Sequence, residues 1–387
     1  MLGAIIGDIV GSRWEFYSTN NYNFELFSFQ NSFTDDTICT IAVADAILHG
    51  SDDYGKFIHA WCRKYPHPMG GYGGHFASWV MSNHPQPYGS FGNGSAMRVS
   101  PIGWWFNTPG ELYEQARKSA LCTHSHPEGI KGAQAVALAI SGCRALRQSS
   151  KGKTYSKEDI LWKALLPAIR IYEPHPQHFA VDLEDYKNKF DETCQGTVPV
   201  ALWIVLHSTG FEDALRKAVA LGADADTLGA ITGSIAEALW GIPEWMKQKA
   251  LFYLPAEMID VVMKYHDRLN RLRELSKQCR YYRVNGYSIV DEKHQKAWEI
   301  EREWAHDLAR SYVNATEMKT KMAKLCGMDH WQEWADKYHL PVSLIGYIFK
   351  HTADAGSFMH ECVGSFLLFL DENYLLPLPG CLSTASI

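Results

Sequence analysis

Leu2-Gly3-Ala4-Ile5-Ile6-Gly7-Asp8-Ile9 returns, little altered, as Leu228-Gly229-Ala230-Ile231-Thr232-Gly233-Ser234-Ile235. Glycine stands at every fourth position in both (Gly3, Gly7 and Gly11 in the first), close to one turn of α-helix. Each such glycine costs a helix interior roughly 1 kcal/mol against alanine, a cost tolerated where another backbone must come close. The pattern predicts two closely packed helices. Either they simply fill a core, or they meet at the centre and carry site residues on their ends.

Working outward, helical period governs most of the remaining chain. From Asp36 to His49 the apolar residues Ile38, Ile41, Ala42, Ala46 and Ile47 share one side, and Gly50 is placed to end the helix. Ser125-His126-Pro127-Glu128 has capping-box spacing and opens an Ala-rich helix to about Arg147. Another helix runs from about Asp226 to Trp240 and stops at Gly241-Ile242-Pro243. No stretch alternates with the period of a strand, so the fold class is all-α. Residues 66–110 are rich in glycine, proline and aromatics and read as a long functional loop region. After Leu254-Pro255 an amphipathic helix carries Met258, Val261, Val262, Leu269 and Leu272, and beyond about Tyr281 charge rises and glycine thins out. A boundary near 278 separates a main domain, 1–278, from a helical C-terminal extension, 279–387, whose Trp298, Trp304, Trp331 and Trp334 suit packing on the domain or a partner.

Bulk composition narrows the function classes. The 387 residues are 46% apolar and 21% charged, which excludes a disordered chain. The formal charge of −6 offers no footprint for nucleic acid or an anionic membrane. No basic n-region opens the chain and no uncharged apolar run is long enough to span a bilayer. Nine cysteines, scattered and without a CxxC pair, point to reduced thiols and a cytoplasmic setting.

Two motifs carry chemistry. Thr34-Asp35-Asp36-Thr37 and Asp224-Ala225-Asp226-Thr227 both stand at helix starts. Each alone is explained by capping and by the preference of acids for the first turn. Together they bring four carboxylates and two hydroxyls, and if they converge their repulsion calls for a cation. Oxygen-only ligands favour Mg²⁺, Mn²⁺ or Ca²⁺ over zinc, and four acids suffice for two ions.

Five segments, in order over about residues 1–265, resemble the ADP-ribosylglycohydrolase family, which includes the dinitrogenase-reductase-activating glycohydrolases. They are Gly3-Ala4-Ile5-Ile6-Gly7-Asp8-Ile9-Val10-Gly11-Ser12 with Trp14-Glu15, Thr34-Asp35-Asp36-Thr37, Gly92-Asn93-Gly94-Ser95-Ala96-Met97-Arg98, Thr123-His124-Ser125-His126-Pro127-Glu128 and Asp224-Ala225-Asp226-Thr227. The resemblance implies a compact orthogonal multi-helix domain with two Mg²⁺ (or Mn²⁺) ions, hydrolysing ADP-ribose off a modified side chain or a small conjugate. By motif, Thr34, Asp35, Asp36, Asp224, Asp226 and Thr227 would hold the metals, and Glu15 or Asp36 would handle the proton. Asn93, Gly94, Ser95 and Met97 would cradle the diphosphate and distal ribose, with His124 and His126 on the substrate side. The partner implied is an ADP-ribosylated protein or small ADP-ribose conjugate; a nucleotide-diphosphate phosphohydrolase and a non-catalytic ADP-ribose binder are the rival classes. Some members place a catalytic aspartate beside the glycine-rich loop, but Pro85-Gln86-Pro87-Tyr88-Gly89-Ser90-Phe91 holds no acid. That counts against such a role here, and with it against the preference for arginine-linked substrates.

Smaller features have plain readings. Arg98 could pair with a phosphate or serve as a structural ion pair, Trp104-Trp105 reads as core, and Cys194 reads as inert. His67, His75 and His84 read as polar surface more readily than as ligand contacts.

Overall fold

The computed structural model describes residues 1–150 and 154–284. Among them the regular elements are helical, and the β-pairing is one isolated bridge, Gly92 to Thr193. The α-helices are α1 (Leu2–Gly11), α2 (Asp35–Leu48), α3 (Tyr54–Lys64), α4 (Gly74–Met81), α5 (Gly94–Met97), α6 (Ser100–Trp105), α7 (Pro109–Leu121) and α8 (Pro127–Ser149). They continue as α9 (Lys157–Asp159), α10 (Leu166–Tyr172), α11 (Cys194–Leu206), α12 (Phe211–Ala220), α13 (Ala225–Trp240), α14 (Glu244–Leu251) and α15 (Ala256–Val284). Contacts divide the chain into two units, Met1–Ala46 with Asp52–Met263, and Ile47–Ser51 with the chain from Lys264. All the candidate site residues belong to the first. α15 passes through position 278 without a break, and the tryptophans of the proposed extension lie outside the described residues.

The echoed sequences form the centre of the first unit. Gly3 faces Gly233, Gly7 faces Gly229, and Gly11 faces Ala225. Residue numbers rise along α1 as they fall along α13, so the two helices run antiparallel. Contact is backbone on backbone: a Cβ on Gly7 would stand 2.0 Å from the Gly229 carbonyl oxygen, and one on Gly233 would stand 2.2 Å from that of Gly3. Every residue of α1 is buried, and Ile5, Ile6, Ile9 and Val10 are completely so. An apolar surface all round the helix suits that central position.

Antiparallel packing delivers the last turn of α1 to the first turn of α13. In that last turn Asp8, also fully buried, accepts hydrogen bonds through Oδ2 from the backbone N–H groups of Thr34 (3.0 Å) and Thr37 (3.1 Å). One short helix therefore fixes both acidic helix starts. This is how motifs 191 positions apart come to share one place.

Two local expectations are corrected. The capping box at Ser125 does not form; the N-cap of α8 is His126, whose Nδ1 accepts from the Glu128 N–H at 3.1 Å. An imidazole in the neutral form offers the same acceptor as a hydroxyl. The stretch 66–110 is not a continuous loop, because α4, α5 and α6 lie within it. Its aromatic residues hid the third of these: Trp104 and Trp105 are buried core on α6, as read, not loop. The helices from Asp36 and Asp226 begin one residue earlier than the periodicity suggested, and Gly50 and Gly241 follow them at positive φ of 65° and 80°.

Candidate functional site

A cavity of about 370 Å³, within the range of small-ligand sites, opens where these helix starts meet. Its acidic floor consists of Asp35 and Asp36 from α2 and Asp224, Asp226 and Thr227 at the head of α13. Thr227 Oγ1 donates to Asp36 Oδ1 across 3.3 Å, joining the two motifs directly. Asp36, Asp224, Asp226 and Thr227 are buried, and Asp35 is half-buried.

Capping does not account for Asp224. Asp224 occupies the N-cap position of α13, yet its side chain makes no cap hydrogen bond. Instead its Oδ2 accepts from Asn93 Nδ2 at 2.7 Å, and the same amide donates to Thr197 Oγ1 at 3.1 Å. Asn93, expected to hold substrate diphosphate, thus orients an acid of the floor. Thr34 is the residue that caps: its Oγ1 accepts from the Asp36 N–H at 3.2 Å, it is fully buried, and it does not line the cavity.

Electrostatics at the floor are costly. Burial, followed by the charge of Asp226, pushes the carboxyls of Asp35 and Asp36 well above the usual range. Asp226 rises for the same reason, burial first and the Asp224 charge second. Burial raises Asp224 to about 7 against the opposing hydrogen bond from Asn93. Asp36 Oδ2 and Asp226 Oδ1 are buried and accept no hydrogen bond of ordinary geometry. Buried acceptors left in this condition call for a partner. Among the described residues no three His, Cys, Asp or Glu side chains grip a common point as they stand. The unsatisfied oxygens and an all-oxygen donor set nevertheless fit a hard divalent cation.

Above the floor, Glu15 follows α1 by one 3-10 turn and lies against the loop Gly70–Gly74. Burial, then the charges of Asp226 and Asp35, lift its carboxyl to about 9. The opposite wall is the Asn93 loop. Gly94 and Met97 line the cavity, but Ser95 turns inward, its Oγ donating to the Gly129 carbonyl at 2.6 Å. His124 lies under Gly94 and lines the cavity, buried, with its pKa held well below the usual value by desolvation and then by Arg98. His126 does not line it; it caps α8 and packs edge-on against Phe91. Arg98, 1% exposed, is anchored by Nη2, which donates to the Ser119 carbonyl and to Thr123 Oγ1, both at 2.8 Å, and it also lines the cavity. Burial raises Cys194 to about 12, in keeping with an inert thiol. Of the loop histidines, His75 lines the cavity.

Sequence reading passed over several residues. Glu192 lines the mouth, and Phe16 and Phe190, both exposed, stack there with centroids 6.0 Å apart. No spacing rule links positions so far apart. Asp8 did leave a signal, since a lone acid inside an apolar helix must find buried donors.

An ADP-ribosylarginine hydrolase, Tri1, of Pseudomonas putida is 27% identical over 290 residues, covering 65% of this chain and 73% of the relative. The ADP-ribosylhydrolase ARH3 of Danio rerio is 26% identical, over 62% of this chain and 82% of its own. A solved ADP-ribosylglycohydrolase-related protein complex superposes with a TM-score of 0.51 at 23% identity, over 69% of this chain and 95% of that one, a likeness of fold. Residues 1–285 match the ADP-ribosylglycohydrolase profile, and the chain belongs to that family of hydrolases.

Proposed function

We propose that this chain hydrolyses the glycosidic bond between ADP-ribose and a modified side chain or small conjugate, and that it needs Mg²⁺ or Mn²⁺ to do so. The observation that supports this most is the junction of the two acidic helix starts, Thr227 to Asp36 at 3.3 Å, in the floor of one cavity. Asp35, Asp36, Asp224, Asp226 and Thr227 are the residues that would hold the cation. When bound, it supplies positive charge that fixes ribose hydroxyls and polarises the attacking water.

The chain's own groups do the rest. Asn93 keeps Asp224 turned toward the cavity. Gly94 leaves room for the His124 ring to pack against the loop backbone, and that ring, neutral, can serve a ligand as a hydrogen-bond partner without repelling a cation. Glu15 is the better placed of the two proton-handling candidates. Asp36 belongs to the floor that would hold the cation, with Oδ1 engaged by Thr227, whereas Glu15 stands on the wall outside that set. A carboxyl so placed can manage the proton of a water or leaving group as an oxocarbenium-like state forms at ribose. A cytoplasmic setting goes with this reading, because Cys39 and Cys62 are free thiols with sulfurs 3.8 Å apart. Among the described residues no helix is long and apolar enough to cross a membrane.

The test is incubation of ADP-ribosylated peptides and small conjugates with the protein and Mg²⁺. Release of free ADP-ribose is expected, with Asp226→Asn slower by at least about a hundredfold. AMP plus ribose phosphate as products would reassign the chain to phosphohydrolysis. Normal turnover by Asp226→Asn would refute the role of the acidic floor.

A further inference from the structure

Phe16 and Phe190 meet at the mouth of the cavity, 64% and 48% exposed, with their rings stacked on each other at 29°. We propose that they form the acceptor subsite: together they hold an apolar side chain of the polypeptide that carries ADP-ribose, next to its modified residue. This rests on the hydrolase reading of the cavity and chooses, between a protein and a small conjugate, the protein.

A single apolar ring on a surface needs no explanation, but a contiguous apolar patch on the rim of a cavity does. Both backbones that carry these rings are pinned. Three residues before Phe16, Arg13 donates through Nη1 to Ser28 Oγ and through Nη2 to the Glu25 carbonyl, each at 2.6 Å. On either side of Phe190, the Asn188 N–H donates to the Leu221 carbonyl at 3.0 Å, and the Glu192 carbonyl accepts from the Asn93 N–H at 2.6 Å. Position assigns the pair to one end of the substrate. Phe16 directly follows Glu15, the group placed to handle a proton at the scissile bond, and the Phe190 ring reaches it there. The loop whose sequence suits a diphosphate is the opposite wall. Chemistry assigns the occupant. Two uncharged rings offer no charge or conventional donor to a phosphate, and the exposed carboxylate of Glu192 on the same rim disfavours an anion there. A small polar conjugate would leave the rings in water. An apolar side chain beside the modified residue covers them, and that burial is favourable.

Two ADP-ribosylated peptides, alike except for leucine or glycine on both sides of the modified residue, are compared as substrates of the full chain with Mg²⁺. The wild-type kcat/KM should favour the leucine peptide by about tenfold, with the difference carried by KM. Phe16→Ala and Phe190→Ala should each bring the two peptides close to equality, whereas Phe16→Tyr, which keeps the ring, should keep the preference. Affinity for free ADP-ribose, read by titration calorimetry, should stay at the wild-type value in Phe190→Ala, the variant remote in sequence from Glu15. Equal use of both peptides by the wild-type chain overturns the proposal, as does a preference that survives in both alanine variants. A fall in ADP-ribose affinity in Phe190→Ala overturns it too, because the rings would then contact ADP-ribose itself. Failure of the wild-type chain to release ADP-ribose from either peptide overturns the hydrolase reading and this proposal with it, an outcome distinct from the others.

Discussion

Alanine at Gly7 should unfasten the centre of this protein. In an exposed helix the change would gain roughly 1 kcal/mol of propensity. Here the new Cβ would lie 2.0 Å from the Gly229 oxygen, 2.3 Å from its carbonyl carbon and 2.7 Å from the Ala230 nitrogen. All three are backbone atoms, so no rotamer change relieves the clash. Restoring ordinary contact at about 3.4 Å moves the helices apart by about 1.4 Å at that point. A gap of that size forfeits more than half of each dispersion well along the seam, including those at Gly3–Gly233 and Gly11–Ala225. Overpacking of this kind costs about 3 kcal/mol or somewhat more, leaving a net loss of about 2–3 kcal/mol. For a unit of this size the melting temperature should fall by roughly 4–10 °C. Turnover should fall as well, since α1 and α13 position Asp8 and Asp226 relative to each other. Gly110→Ala is the control: it lies in the first turn of α7 with nothing within 4 Å of its Cβ, and should stabilise by a few tenths to about 1 kcal/mol. Differential scanning calorimetry on both variants decides. A Gly7→Ala protein that melts at or above the wild-type temperature would refute the backbone-contact account of the fold.

Two further outcomes follow from the site. The carboxyls of Glu15 and Asp224 stand at about 9 and about 7, above the ordinary values of 4.5 and 3.8, so the cation-free fold holds protons that the unfolded chain gives up. Their contribution is complete below about pH 4 and is lost as pH rises through about 7 to 9; the melting-temperature gap between Mg²⁺ and chelator should therefore widen from about pH 5 to about pH 8, and a constant gap would contradict it. Gly70 and Gly71 both have positive φ, 78° and 84°, but a Cβ would stand 2.3 Å from Glu15 Oε2 only at Gly70. Each alanine variant should lose about 1–2 kcal/mol to backbone strain, while only Gly70→Ala should also lose turnover, by about tenfold or more; equal turnover in the two would remove the Glu15 contact from the mechanism.

Much of the architecture was legible because it rests on local signals. A glycine at every fourth position survives in a helix only where backbones touch, and the repeated motif named both partners in that contact. It could not give their direction: parallel and antiparallel packing read alike in sequence, and only the pairing of Gly3 with Gly233 and Gly11 with Ala225 distinguishes them. The acids were legible as residue types but ambiguous as roles, because capping and cation binding favour the same side chains at the same helix positions. The structure separates the two uses by hydrogen-bond partner: Thr34 caps, whereas Asp224 is turned away from its helix by Asn93. Asn93 and Ser95 show the converse limit. A loop sequence suited to holding phosphate can spend its polar side chains on the protein itself: Ser95 bonds the Gly129 carbonyl, and Asn93, though it lines the cavity, bonds Asp224. Asp8 was legible only as a lone acid in need of donors. Its neighbours in sequence are apolar, and the donors that explain it belong to a helix start more than twenty residues away, so its role appears only once α1 and α2 are seen to share a hydrogen bond.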